Sequence, residues 1–141
     1  MVIKKWFLPL LLLLLTSIIW SSPSEIEIQA TLNKSTSPIN HPVILSIDLF
    51  YSDPKQEIEL EIPNLKPNFI VSANSESKSL KKVNGKIEIK HSYQLHLFAQ
   101  KEGNLSIPSV RAIANKEVYT TEALFITITK ASDVKQTTMT N

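Results

Sequence analysis

The stretch KIEIKHSYQLHLFA, residues 86–99, sorts its side chains by parity from end to end. Ile87, Ile89, Tyr93, Leu95, Leu97 and Ala99 fall on one parity; Lys86, Glu88, Lys90, Ser92, Gln94 and His96 fall on the other. Successive side chains of an extended strand point to opposite faces, so this pattern makes a half-buried strand and would scatter apolar groups around a helix. Asn84-Gly85 stands directly before it, and that pair suits a two-residue type I′ hairpin, whose central residues both need positive φ. A ribbon with one apolar face requires a second layer to cover that face.

The same period recurs along the chain, and a period of 3.6 does not. EIEIQATL aligns Ile26, Ile28, Ala30 and Leu32, and VILSIDLFY aligns Val43, Leu45, Ile47, Leu49 and Tyr51. EIELEI sets Ile58, Leu60 and Ile62 inward against Glu57, Glu59 and Glu61, and FIVSA sets Phe69, Val71 and Ala73 on one face. Residues 105–114 and then ALFITIT, with Leu124, Ile126 and Ile128, complete the series. Ser37-Pro38, His41-Pro42, Asp53-Pro54, Pro63-Asn64 and Lys66-Pro67 mark the breaks. About seven short strands and no helix predict an all-β, Ig-like antiparallel β-sandwich. SESKSLKK, residues 75–82, is too polar for a central strand and reads as a lysine-blunted edge or a loop.

Composition narrows the chemistry. The chain has 2 glycines, and Gly85 and Gly103 both sit in turn signals. That leaves none for a phosphate-cradling loop and excludes P-loop and dinucleotide-fingerprint binding. There are no cysteines, hence neither disulfides nor thiolate chemistry, and the fold must stand on its core alone. A chain of ~100 residues does so by burying roughly 60–70% of its unfolded surface.

The N-terminus, MVIKKWFLPLLLLLLTSIIWSSPSE, has Lys4 and Lys5 before an apolar run from Trp6 to Trp20, with small residues after it. Ser22 and Ser24 are placed for cleavage before Glu25, which predicts a signal peptide over residues 1–24. The rival is a retained membrane anchor, for which the run falls short of the ~20 residues that span hydrocarbon. No cysteine follows the run to carry a lipid. Removing Lys4 and Lys5 from 15 basic residues leaves 13 against 13 acidic ones. A neutral body with a single arginine, Arg111, lacks the footprint of a nucleic-acid binder. The expected organisation is a sandwich over residues 25–130 and a patternless, disordered tail over 131–141.

Candidate catalytic and metal-binding groups are weak. His91 and His96 fall on opposite parities of one strand, which prevents joint chelation unless a bulge intervenes, and His41 lies in a loop before Pro42. No nucleophile-elbow signature supports a triad. Glu57, Glu59 and Glu61 lack the loop spacing of a calcium site and read as a solvated strand face paired with lysines across the ladder. The reading is therefore non-enzymatic, with no cofactor and no metal. The informative exceptions are apolar residues on the polar parity: Ile44 and Phe50 in one strand and Phe98 in the long ribbon. These strands are neighbours in an Ig-like sandwich, so Ile44, Phe50 and Phe98 form a candidate interaction patch, with Ile44 nearest Phe98 and Phe50 toward the other end. Phe98→Ser is expected to weaken partner capture with little loss of stability, and Leu95→Ala to cost roughly 2–5 kcal/mol.

The order of features also resembles a known family. The pair of strands in EIQATLNKSTSPINHPVILSIDL is followed by IPNL and FIV, a serine-rich segment, and VNGKIEIKHSYQLHLFAQKEGNLSIPSVRAIANKEVYTT. This is similar to the first Ig-like domain of the BatD-like bacterial aerotolerance, or oxygen tolerance, proteins, over about residues 25–130 and most specifically over 84–110. The resemblance implies a periplasmic, exported protein-interaction module of the Gram-negative cell envelope. Family members are encoded beside von Willebrand factor A-domain proteins and a MoxR-type ATPase, and carry no catalytic residues. Envelope proteins, von Willebrand factor A-domain proteins among them, are the implied partners, with membrane contact only through an uncleaved signal segment. Members typically continue into further β-domains and a C-terminal membrane helix, so this chain is expected to be a soluble or truncated version. The alternative is a carbohydrate- or surface-binding sandwich, which would want aromatic residues aligned on one face; both tryptophans, Trp6 and Trp20, lie in the apolar leader.

Overall fold

The long ribbon pairs on both sides, and this pairing organises the molecule. The computed structural model describes residues 25–131. The expected signal peptide over 1–24 and, apart from Ala131, the expected tail over 131–141 lie outside the described residues. Ten strands are present among the described residues: β1 (Glu27–Leu32), β2 (Thr36–Pro38), β3 (Pro42–Tyr51), β4 (Glu59–Glu61) and β5 (Phe69–Val83), then β6 (Lys86–Ala99), β7 (Gly103–Ile107), β8 (Arg111–Ala114), β9 (Glu117–Thr120) and β10 (Leu124–Thr129). There is no helix among the described residues.

One wall of the sandwich is an antiparallel sheet ordered β1-β3-β6-β5. The facing wall is made of two three-stranded sheets, β2-β10-β7 and β4-β8-β9, with β2 joining β10 in parallel. Each covers a different half of the large sheet. Val43, Leu45, Ile47, Phe69, Leu95, Leu97 and Ala99 pack with Leu105, Ile107, Ile126 and Ile128 of β7 and β10. Ile26, Leu49, Tyr51 and Ile89 pack with Ala112 and Ala114 of β8. The apolar parity of β3 and β6 is thus the floor of both cores, as the alternation predicts.

The β5–β6 hairpin closes at Asn84 and Gly85, with φ of 51° and 77°, between the paired residues Val83 and Lys86. Both positive φ values are those of the type I′ turn read from Asn-Gly.

Several expectations need correcting. Residues 105–114 form two strands in different sheets, β7 and β8, because Pro108 has no N–H to offer a ladder and lets the chain cross over there. β2 and β9 have no alternation long enough to see. The β8–β9 turn uses Asn115 and Lys116 at φ of 51° and 65°, a turn with no glycine to announce it. Ser75 to Lys82 are not a loop: they continue β5, which lies at the edge of its sheet, so the lysine-blunted edge is the correct half of that reading. Register slips between Val71 and Ala73, a bulge that sends Ala73 to the outer face beside His96. Val71 keeps the inner side opposite Leu97 but is 45% exposed, because the facing wall does not reach under β5. Ile62, read as inward, directly follows β4 and is 42% exposed.

Candidate functional site

The outer face of the large sheet carries the apolar residues that break the alternation. Its rows follow from the ladders: Pro42, Phe98 and Ile70 lie side by side, and Ile44, His96 and Ala73 form the next row. Directly paired residues share a face, so Ile44, Phe98, Ile70 and Pro42 form one cluster at the end of the sheet where β5 begins. Ile44 and Phe98 are half-buried and Ile70 is exposed. Phe50 shares this face but pairs with Lys90, about 26 Å along the strand from Phe98. The intervening rows are polar. Ser92 donates a hydrogen bond to Asp48 (2.5 Å), and Lys90 Nζ lies 3.3 Å from the same carboxylate. Lys90 also sits over the Phe50 ring, 5.6 Å from its centroid. The structure therefore brings Ile44 and Phe98 together, adds Ile70, and leaves Phe50 apart. The parity argument did not single out Ile70, although it stands in FIVSA between Phe69 and Val71, off the core parity.

The inner face has a different character along β5. After the bulge, Asn74, Glu76, Lys78 and Leu80 lie opposite Leu95, Tyr93, His91 and Ile89, and so share the core side of the sheet. All four are nonetheless exposed. Between them and β4 runs an open groove of about 430 Å³, lined by Leu60, Ile62, Asn74, Glu76, Tyr93 and Leu95. Its lining residues Glu76 and Tyr93 both reach His91: His91 Nε2 meets the Glu76 carboxylate at 2.5 Å, and His91 Nδ1 lies 3.4 Å from the Tyr93 hydroxyl. His91 is thus a partnered histidine, and His96 is on the opposite face beside Ile44, as parity requires.

Burial, and secondarily the Glu76 charge, push the Tyr93 phenol up from 10 to about 12. A phenol held neutral is a hydrogen-bonding group and not a nucleophile at ordinary pH. The consequence for stability has a definite sign. Because the folded value lies above the unfolded one, this contribution is whole below pH 10 and is lost as pH rises through about 12. Glu76→Gln is expected to bring the Tyr93 midpoint part of the way back toward 10, with burial holding the remainder; ultraviolet difference titration of the tyrosines reads it. No movement of the midpoint would show that Glu76 does not act on the phenol.

Elsewhere the carboxylate row is solvated but pairs differently from expectation. Glu61 meets Arg111 at 2.9 Å, and Glu59 lies opposite Ile113 instead of a lysine. Among the described residues, no group of three His, Asp or Glu side chains is placed to hold a metal ion.

Residues 30–128 match the family described as BatD, BatD DUF11 like domain. The chain belongs to the BatD family. No curated protein matches it. The matched span runs from within β1 to within β10 and so takes in both walls of the sandwich. In this BatD-family chain Ile44, Ile70, Phe98 and the Glu76–His91–Tyr93 cluster all fall inside the match.

Proposed function

We propose that this chain is an exported, non-enzymatic protein-interaction module of the cell envelope, acting in the periplasm by docking to another envelope protein. The observation that carries this reading is the outer-face cluster of Ile44, Phe98, Ile70 and Pro42. The rows Ser46–Gln94–Ser75 and Asp48–Ser92–Ser77 separate this apolar surface from Phe50 on the same face, and the fold does not need it for its core. Family membership supports the envelope setting, and a von Willebrand factor A-domain protein is the partner to test first.

The test is capture of such a protein from native envelope extract by the tagged chain, compared with its Phe98→Ser variant. Phe98 is half-buried, so the variant is expected to lose about 1 kcal/mol of stability and stay folded at room temperature. Capture by the parent and its loss in the variant support the reading. Equal capture by both would remove the patch from it, and failure of the parent to capture any von Willebrand factor A-domain protein would remove the proposed partner.

A further inference from the structure

We propose that the free edge of β5 is a strand-addition site for an extended, acidic partner segment; this deepens the interaction-module reading and rests on it. Among the described residues β5 pairs only with β6, so one side of a fifteen-residue strand leaves its backbone N–H and C=O groups without sheet partners. Edges of this length are hazardous, and lysines commonly guard them, because an incoming strand must cover charged groups that prefer water, and a basic strand is also repelled. The same lysines select a strand of opposite charge.

The side chains along the edge define what fits. On the inner side Lys78, Leu80 and Lys82 follow one another, and on the outer side Lys81 stands beyond Ser75, Ser77 and Ser79. The one acidic residue of β5, Glu76, is already engaged by His91. An antiparallel newcomer would place carboxylates across from Lys78, Lys81 and Lys82, and an apolar side chain across from Leu80, which is 58% exposed. Farther along, its inward side chains would lie over the groove that Leu60 and the exposed Ile62 line. Backbone pairing supplies affinity in this mode of recognition, and the alternating side chains supply specificity. A second β5 is the wrong occupant, since its net charge is also positive.

The test uses the full chain and a synthetic peptide with glutamates set opposite Lys78, Lys81 and Lys82 and a leucine opposite Leu80. The control is the same peptide with lysines for the glutamates. The expected result is binding of the acidic peptide alone, with amide hydrogen exchange slowed along residues 72–83. Lys81→Glu/Lys82→Glu is expected to weaken the acidic peptide at least about tenfold and to admit the lysine peptide. Both substituted residues are exposed; should the double variant lose its far-ultraviolet β signal, Lys81→Gln makes the same comparison with a smaller effect. Equal binding of the two peptides, protection on β1 or at Phe98 instead of β5, or self-association of the free chain through β5 would each overturn the proposal. If the peptide does not bind while the chain still captures a von Willebrand factor A-domain protein through Phe98, strand addition falls and the module reading stands. Failure of both removes strand addition and the von Willebrand factor A-domain partner together.

Discussion

Phe69→Ala is expected to cost about 3–5 kcal/mol, a large share of the 5–15 kcal/mol that holds a domain of this size folded. Phe69 is 1% exposed and belongs to the core shared by Leu65, Leu97, Ile107 and Val110. Its backbone is held too: its N–H donates to the Leu65 carbonyl at 3.0 Å, and it pairs with Ala99 in the ladder. These neighbours come from β6, β7 and the segments around them, so the cavity has little freedom to collapse. Urea unfolding is the measurement, and a fall in midpoint with unchanged slope is the expected form. A loss below about 1 kcal/mol would mean that the core repacks around the missing ring, contrary to the usual cost of such cavities.

Leu95→Ala is expected to cost less, near the lower end of roughly 2–5 kcal/mol. Leu95 is nearly as buried, but its side chain also lines the groove between β4 and β5. A cavity that opens onto that groove admits water, which reduces the penalty of an empty space. Comparing the two variants by the same unfolding experiment therefore tests the openness of the β5 side. Equal losses would show the groove to be closed in solution. A smaller loss for Leu95→Ala would agree with Val71, Ile62 and Leu80 being uncovered along that side.

The candidate surfaces were legible to different degrees. Ile44 and Phe98 were readable because each interrupts a long alternation, and β3 and β6 pair as expected. Phe50 was readable as outward for the same reason, and antiparallel pairing placed it toward the other end from Phe98; how far it lies from the other two depends on ladder register. The groove and the β5 edge were not readable in full. SESKSLKK has no apolar period, so its polarity was equally consistent with a loop and with a strand lacking cover. Ten strands among the described residues in place of about seven follow from a similar difficulty: β2 and β9 are three and four residues long, too short to show a period, and residues 105–114 divide into β7 and β8.

What the amino-acid order determined by itself was the β class, the core face of β3 and β6, and the type I′ turn at Asn84-Gly85. These are local matters, governed by side-chain parity and by which residues tolerate positive φ. Only the tertiary structure decided that the facing wall is two small sheets and that it stops short of β5. Only it decided that a bulge beside Ser72 turns Ala73 outward while Glu76 comes opposite Tyr93 and within reach of His91. Parity tells which way a side chain points. Whether anything lies there to cover it depends on strands distant in sequence, and that is why the exposed inner face of β5 came from the fold.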